Sequence, residues 1–226
     1  MKKIYKSLFI LAIIFASCKR NPDYINQSEQ VYDENSPIIG TIIFSSTFIN
    51  NELTQMDLFN PFKDEDLLIN NYNFCESQNI NDFVTCNDNN ISHLENTFGT
   101  NLDFLLGNNL MTIYNPEEIL FDCDTQIDKN TGFTINWNVD NNLSSDIAIS
   151  LIPRLDVDGH PYSNKDTSNL MLLHSDNGSI TITPNQLSNF ESGDVIDIVL
   201  IRGNEKRFGN KLIRVQSVNV HVAKIN

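Results

Sequence analysis

Four histidines, four cysteines and 29 carboxylates are the side chains of this 226-residue chain that could hold a metal, move a proton or attack an electrophile. The most metal-like spacing is Asp156-Val157-Asp158-Gly159-His160, because hard oxygen ligands at alternate positions suit Ca²⁺. A full calcium loop needs further ligands and a terminal Glu, which do not follow here, so the stretch reads as an Asp-Gly turn in a polar loop. Asp122 and Asp124 flank Cys123 and read as exposed loop acids. His174 and His221 have no sequence neighbour suited to orient either as a base. The chain contains no HExxH, no GxSxG, no phosphate-binding glycine loop and no dinucleotide fingerprint. The reading is therefore of a non-enzyme, with no catalytic residue, no metal ligand and no cofactor.

Trp137 could stack on a sugar ring, but its phase argues otherwise. It alternates with Phe133, Ile135 and Val139 on the apolar face of one strand, which makes it a core residue. The basic residues are more informative. Arg202, Lys206, Arg207, Lys211 and Arg214 fall within thirteen positions, around a turn at Phe208-Gly209-Asn210. In a chain of net charge −14, this local reversal of sign could dock a phosphate, an acidic partner or the acidic face of a second copy. The competing reading is a solvated hairpin with internal salt bridges. The overall charge argues against nucleic acid, which needs a basic footprint, and against broad adhesion to anionic lipid.

The N-terminus carries an address. Lys2, Lys3 and Lys6 precede an uncharged apolar run from Leu8 to Ala16. That run is too short to span a bilayer but has the length of a signal-peptide core. Ala16 and Ser17 then stand directly before Cys18, and the tetrad FASC resembles the lipobox of bacterial lipoproteins. The resemblance implies cleavage before Cys18, a thioether-linked diacylglyceryl group on its sulfur and acylation of the new N-terminus. Several acyl chains make such an anchor stable, since each buried CH₂ contributes about 0.8 kcal/mol. Residues 1–17 are then a signal peptide and 18–37 a lipidated cysteine with a polar tether. Loss of three lysines and no acid would take the net charge from −14 to −17.

Export permits disulfides. Cys75 and Cys86 flank a short polar loop, and a bridge there would contribute roughly 3 kcal/mol in the loop-entropy model. Cys123 would remain a free thiol; Cys86–Cys123 is the competing pair. No CxxC pair suggests a metal.

Residues 38–226 read as one domain, mostly β, with a less regular and partly helical insertion over about 50–110. Ile38 to Ile49 opens the fold as a strand. Asp64 to Ile69 and His93 to Leu106 are expected to be short helices, the second interrupted by Gly99. Phe133 to Val139 and Ile147 to Leu151 alternate as half-buried strands. Asn177-Gly178 predicts a two-residue hairpin pairing Leu173 with Ile182, which puts Met171 and Leu173 on the face of Ile180 and Ile182. In that pairing His174 faces Thr181 and solvent. Thr183 to Leu187 reads as a capped single helical turn with Pro184 at its first position. Val195 to Ile201 and Leu212 to Ala223 form a closing hairpin. Ile213 and Val215 are apolar at odd positions, whereas Val218, Val220 and Val222 are apolar at even ones. A strand that buries one face cannot hold both sets there, so a β-bulge near Gln216-Ser217, or a passage from one sheet to another, is expected. Either would turn Asn219 and His221 away from the core.

Short strands with regular turns indicate an antiparallel β-sandwich. The stretches GFTINWNVD and ITITPNQLSNFESGDVIDIVLIRGN resemble the immunoglobulin-like sandwich of lipoproteins from the Bacteroidota, over residues 132–226. That resemblance implies fold and location, not an activity. Lys19-Arg20-Asn21-Pro22 lacks the acidic run resembling a surface-export signal in that group, which favours an outer-membrane anchor facing the periplasm. The expected role is a non-catalytic interaction or structural module, lipid-anchored through Cys18, with a protein or glycan partner. The alternatives are a glycan-binding protein, an acidic immunity-type lipoprotein that neutralises a basic toxin, and a loop-carboxylate hydrolase. A glycan strip would draw on Tyr72, Phe74, Tyr114 and Tyr162.

Overall fold

The computed structural model describes residues 37–61, 67–73, 83–85, 94–154, 156–157, 160–161 and 170–226. Cys18 and its tether, Cys75, Cys86, Phe74, Asp158 and Tyr162 lie outside the described residues.

The strands run in chain order as β1 (Gly40–Ile49), β2 (Glu52–Phe59), β3 (Leu67–Ile69), β4 (Tyr72–Asn73), β5 (Phe83–Thr85), β6 (Asn101–Leu106) and β7 (Asn109–Tyr114). Next come β8 (Phe121–Cys123), β9 (Gln126–Ile127), β10 (Phe133–Trp137), β11 (Asp146–Pro153), β12 (Asp156–Val157) and β13 (His160–Pro161). The series ends with β14 (Leu170–Ser175), β15 (Ser179–Ile182), β16 (Val195–Phe208) and β17 (Lys211–Ile225). The fold is mostly β. The expected helices are absent among the described residues: Leu67–Ile69 is a strand, and only Glu95–Thr97 makes a 3₁₀ turn before β6 begins. Gly99 and its neighbours break the apparent helical pattern, and Asn101–Leu106 buries alternate residues as a strand does.

The largest sheet has eight strands, in the order β14-β11-β16-β17-β1-β2-β5, with β9 also on β17. It is mixed rather than antiparallel, because β1 and β9 both run parallel to β17. Two smaller sheets, β15-β10-β8 and β4-β3-β6-β7, pack on one face of it. Under the first lie Ile196, Ile198 and Leu200 of β16 with Ala223 and Ile225 of β17. Under the second lie Ile42 and Phe44 of β1 with Ile213 and Val215 of β17.

The long β16–β17 hairpin forms as expected but carries no bulge. Its register runs without a break from Val195↔Lys224 to Phe208↔Lys211, and β1 keeps an equally regular register with β17. Both apolar sets are buried because both faces of β17 are covered. Its odd positions face the two small sheets, while Val218 and Val220 join Ala148, Val199 and Ile201 in a separate cluster on the opposite face. Asn219 is accordingly fully buried rather than turned outward, and His221 packs on Phe121. The irregularity that does occur lies between β1 and β2, where Thr54 is an extra residue and its hydroxyl donates to the Thr47 carbonyl.

The expected hairpin at Asn177-Gly178 is a corner between sheets. β14 pairs with β11 in the large sheet, whereas β15 pairs with β10 in the small one. Leu170 and Leu172 therefore face the core, and Met171 and Leu173 are exposed. His174 does not face Thr181. It sits edge-on to Trp137, with Nε2 3.1 Å from the Ser179 carbonyl. Two Asn pairs do make tight hairpins: Asn50-Asn51 and Asn70-Asn71 have positive φ at both positions, which the twist of two-residue turns demands. The Thr183 turn is capped as expected, Gln186 Oε1 accepting from both Thr183 N–H and its hydroxyl.

Candidate functional site

Between the two apolar clusters the shared face of β16 and β17 turns polar. Arg202, Ser217 and Asn219 occupy this seam, and all three are buried. Above them runs the segment 115–120, which leaves β7 in one small sheet and enters β8 in the other. It has no strand partner, so side chains supply its hydrogen bonds. Ser217 Oγ accepts from Ile119 N–H at 3.0 Å, and Asn219 Nδ2 donates to the Ile119 carbonyl at 2.7 Å. Asn138 accepts from Leu120 N–H at 2.7 Å and donates to the Glu118 carbonyl at 2.9 Å, imitating one rung of a ladder. Asn51, from the β1–β2 turn, does the same for Phe121 at 3.0 and 3.1 Å.

Arg202 is the centre of the seam. Nε donates to Asp176 Oδ2 at 2.8 Å and Nη2 to Asp176 Oδ1 at 3.1 Å. Nη2 also donates to the Asn138 carbonyl, and Nη1 reaches the carbonyls of Glu117 (3.2 Å) and Glu118 (3.4 Å). A guanidinium has five N–H donors, and all are engaged. Asp176 in turn accepts from Trp137 Nε1 at 2.8 Å. A second buried carboxylate, Asp140, accepts from Glu117 N–H at 2.8 Å, Asn142 N–H at 3.0 Å and the Tyr114 hydroxyl at 3.0 Å. Burial, chiefly, pushes the Tyr114 phenol up to about 12, so it stays a proton donor to Asp140. These groups spend their bonding capacity on one another and on the backbone. They hold the two small sheets at a set spacing.

The candidate residues read from the sequence are dispersed. Arg202 does not belong to a surface patch: it is buried in the seam, 26 residues in sequence from the carboxylate that pairs with it. Arg214 is also buried and pairs with Glu205. Lys206, Arg207 and Lys211 do surround the hairpin tip; Lys206 Nζ donates to the Thr112 carbonyl at 2.8 Å and Arg207 Nε to that of Gly209 at 2.7 Å. Trp137 is a core residue, as its phase implied. Tyr72 is exposed, whereas Tyr114 is tied to Asp140, so these two form no common sugar platform.

Cys123 is a free thiol. Burial, with Asp122 and Asp124 beside it, pushes its pKa up to about 12, which leaves it protonated and unreactive at neutral pH. Burial raises Asp197 above the usual carboxylate range although Arg154 lies 2.7 Å away. Among the described residues no three His, Cys, Asp or Glu side chains converge as a metal site. No protein-family model matches the chain, and no curated protein matches its sequence.

Arg202→Met should destabilise the fold by about 3–5 kcal/mol, because it strands the Asp176 charge. Arg202→Met with Asp176→Asn should be more stable than Arg202→Met alone, since the neutral amide can still accept from Trp137. Chemical denaturation of the three proteins measures this, and a double variant weaker than the single would contradict the assignment.

His221 gives a pH test. Burial against Phe121 lowers its pKa below the usual 6.5, with Asp122 opposing. The native ring therefore stays neutral where the unfolded chain binds a proton, so its contribution is full above about pH 6.5 and is lost as pH falls below that. His221→Gln should flatten the decline of the melting temperature between about pH 7.5 and pH 5.5. An unchanged slope would assign the acid sensitivity elsewhere.

Proposed function

We propose that the chain is a lipid-anchored, extracytoplasmic interaction module that captures a protein partner through an edge strand rather than by catalysis. Cys18, in its lipobox-like context, is the anchor, and the outer membrane is the expected site, with the domain in the periplasm. In this reading, the sheet β15-β10-β8 over β11, β16 and β17 is an immunoglobulin-like sandwich, and the β4-β3-β6-β7 sheet is an addition to it.

The observation that carries the reading is β14. It ends the order of the eight-stranded sheet, and its sequence LMLLHS contains no Asp, Glu, Lys, Arg or Pro. Edge strands are ordinarily protected by charge, proline or a bulge, because their backbone groups template a further strand. Leu173 is 56% exposed and Met171 stands beside it on the same face. Asp176, immediately beyond the strand, is locked by Arg202. The edge is thus held in one shape, which lowers the entropic cost of adding a partner strand.

Two measurements test the proposal. Cys18→Ala should move the protein from the membrane to the soluble fraction; persistence in the membrane after a high-salt wash would defeat the anchor. Leu173→Lys should leave unfolding within about 0.5 kcal/mol of the parent, as an exposed substitution does. It should nonetheless lose the envelope protein that the parent retains on affinity capture. Equal retention by the folded variant would remove β14 as the docking edge.

A further inference from the structure

The point where the tether enters the domain and the basic hairpin tip are the same place. Gly40, the first residue of β1, pairs with Lys211, and Ile39 N–H donates to the Asn210 carbonyl at 2.8 Å. Whatever precedes residue 37 therefore meets the fold beside Lys206, Arg207 and Lys211. The contacts of β16 with β7 extend this pole: Asn204 Nδ2 donates to the Tyr114 carbonyl and Lys206 Nζ to that of Thr112. The same two-residue step carries Leu110 toward the level of Phe208.

The pole is amphipathic. Ile38, Ile39 (60% exposed) and Leu110 (62% exposed) are among its large apolar side chains open to solvent. They are set among three cations in a chain whose net charge is −14. Glu205, the acid next to the tip in sequence, is committed to Arg214.

We propose that this pole is the membrane-facing end of the domain, its three cations lying against anionic lipid headgroups and its isoleucines and Leu110 at the headgroup boundary. The proposal rests on the lipid-anchor reading above. The reasoning is electrostatic. A lipid anchor only confines the domain near the surface, and a twenty-residue tether is long enough to allow any orientation (about 3.3–3.6 Å per extended residue). An acidic body with one basic pole is then turned by the surface potential, repelled everywhere except at the tip. Three basic side chains near an anionic surface would shift the ratio of tip-down to tip-away molecules by up to about a hundredfold. This orientation keeps the membrane at the hairpin tip and leaves β14, four positions from the tether strand in the sheet order, clear to receive a partner.

Hydrogen–deuterium exchange on the full lipidated protein, reconstituted in phosphatidylglycerol-containing vesicles and in pure phosphatidylcholine vesicles, tests this. Peptides covering 37–43 and 204–212 should exchange several-fold more slowly on the anionic vesicles at low salt, and the turn at 191–194 should not change. The triple charge reversal K206E/R207E/K211E should erase the difference while the protein remains attached through its lipid. The glutamine triple variant is a second version in case reversal perturbs folding, and unchanged exchange in β10 reports that the fold is intact. Attachment to both vesicles without composition-dependent protection of the tip, or protection that survives in a folded triple variant, overturns the proposal. Failure of the chain to attach to either vesicle overturns the anchor reading, and the proposal with it.

Discussion

A guanidinium buried without partners would cost far more than a fold of this size can supply, and the position of Arg202 makes that the governing constraint on the molecule. Its five donors must all find acceptors inside the protein. Asp176 supplies two, and the carbonyls of Glu117, Glu118 and Asn138 supply the rest. These acceptors come from three separate connections: the one from β7 to β8, the exit of β10 and the corner after β14. One side chain thus ties both small sheets and an edge of the large one to the same point. The requirement also explains why residues 115–120 can cross a buried sheet face without strand pairing, because the seam's Asn and Ser side chains satisfy its amides.

The seam divides what would otherwise be one apolar layer. Along the odd face of β17 the residues pass from Ile213 and Val215, through Ser217 and Asn219, to Ala223 and Ile225. Each apolar end supports its own small sheet, and the polar middle is the junction. Hydrophobic burial drives each half but is non-directional, so it cannot set how the halves are spaced. Hydrogen bonds with defined geometry do that. A rigid middle confines adaptable surface to the periphery, where β14 lies at the sheet edge and the hairpin tip beside the tether. Interaction surfaces belong at such positions, away from residues whose bonding is already spent.

Much of the local structure was legible in the residues. The alternation of Phe133, Ile135 and Trp137, the Thr183–Gln186 cap and the long closing hairpin each depend on contacts close in sequence or on simple period-two patterning. The helices expected near Asp64 and His93 failed because short apolar runs do not separate helix from strand. The role of Arg202 was not legible: a basic residue near other basic residues reads as surface, and the carboxylate that neutralises it lies in another sheet connection.

The sequence by itself determined that the chain is mostly β, that Trp137 is internal, and where its tight turns fall. The last follows because left-handed backbone at paired Asn residues is a local preference. Tertiary structure alone decided three things. Asn177-Gly178 turns between two sheets instead of within one, because Asp176 is drawn inward to Arg202 and Trp137. β17 buries both faces without a bulge, because layers cover it from opposite sides. The tether strand lies parallel to β17 and ends at the basic tip, because β1 adds to the hairpin from a distance of about 170 residues in the chain. Alternation along a strand reports which face is apolar, but it carries no information about which layer will cover that face or which distant charge will be buried with it.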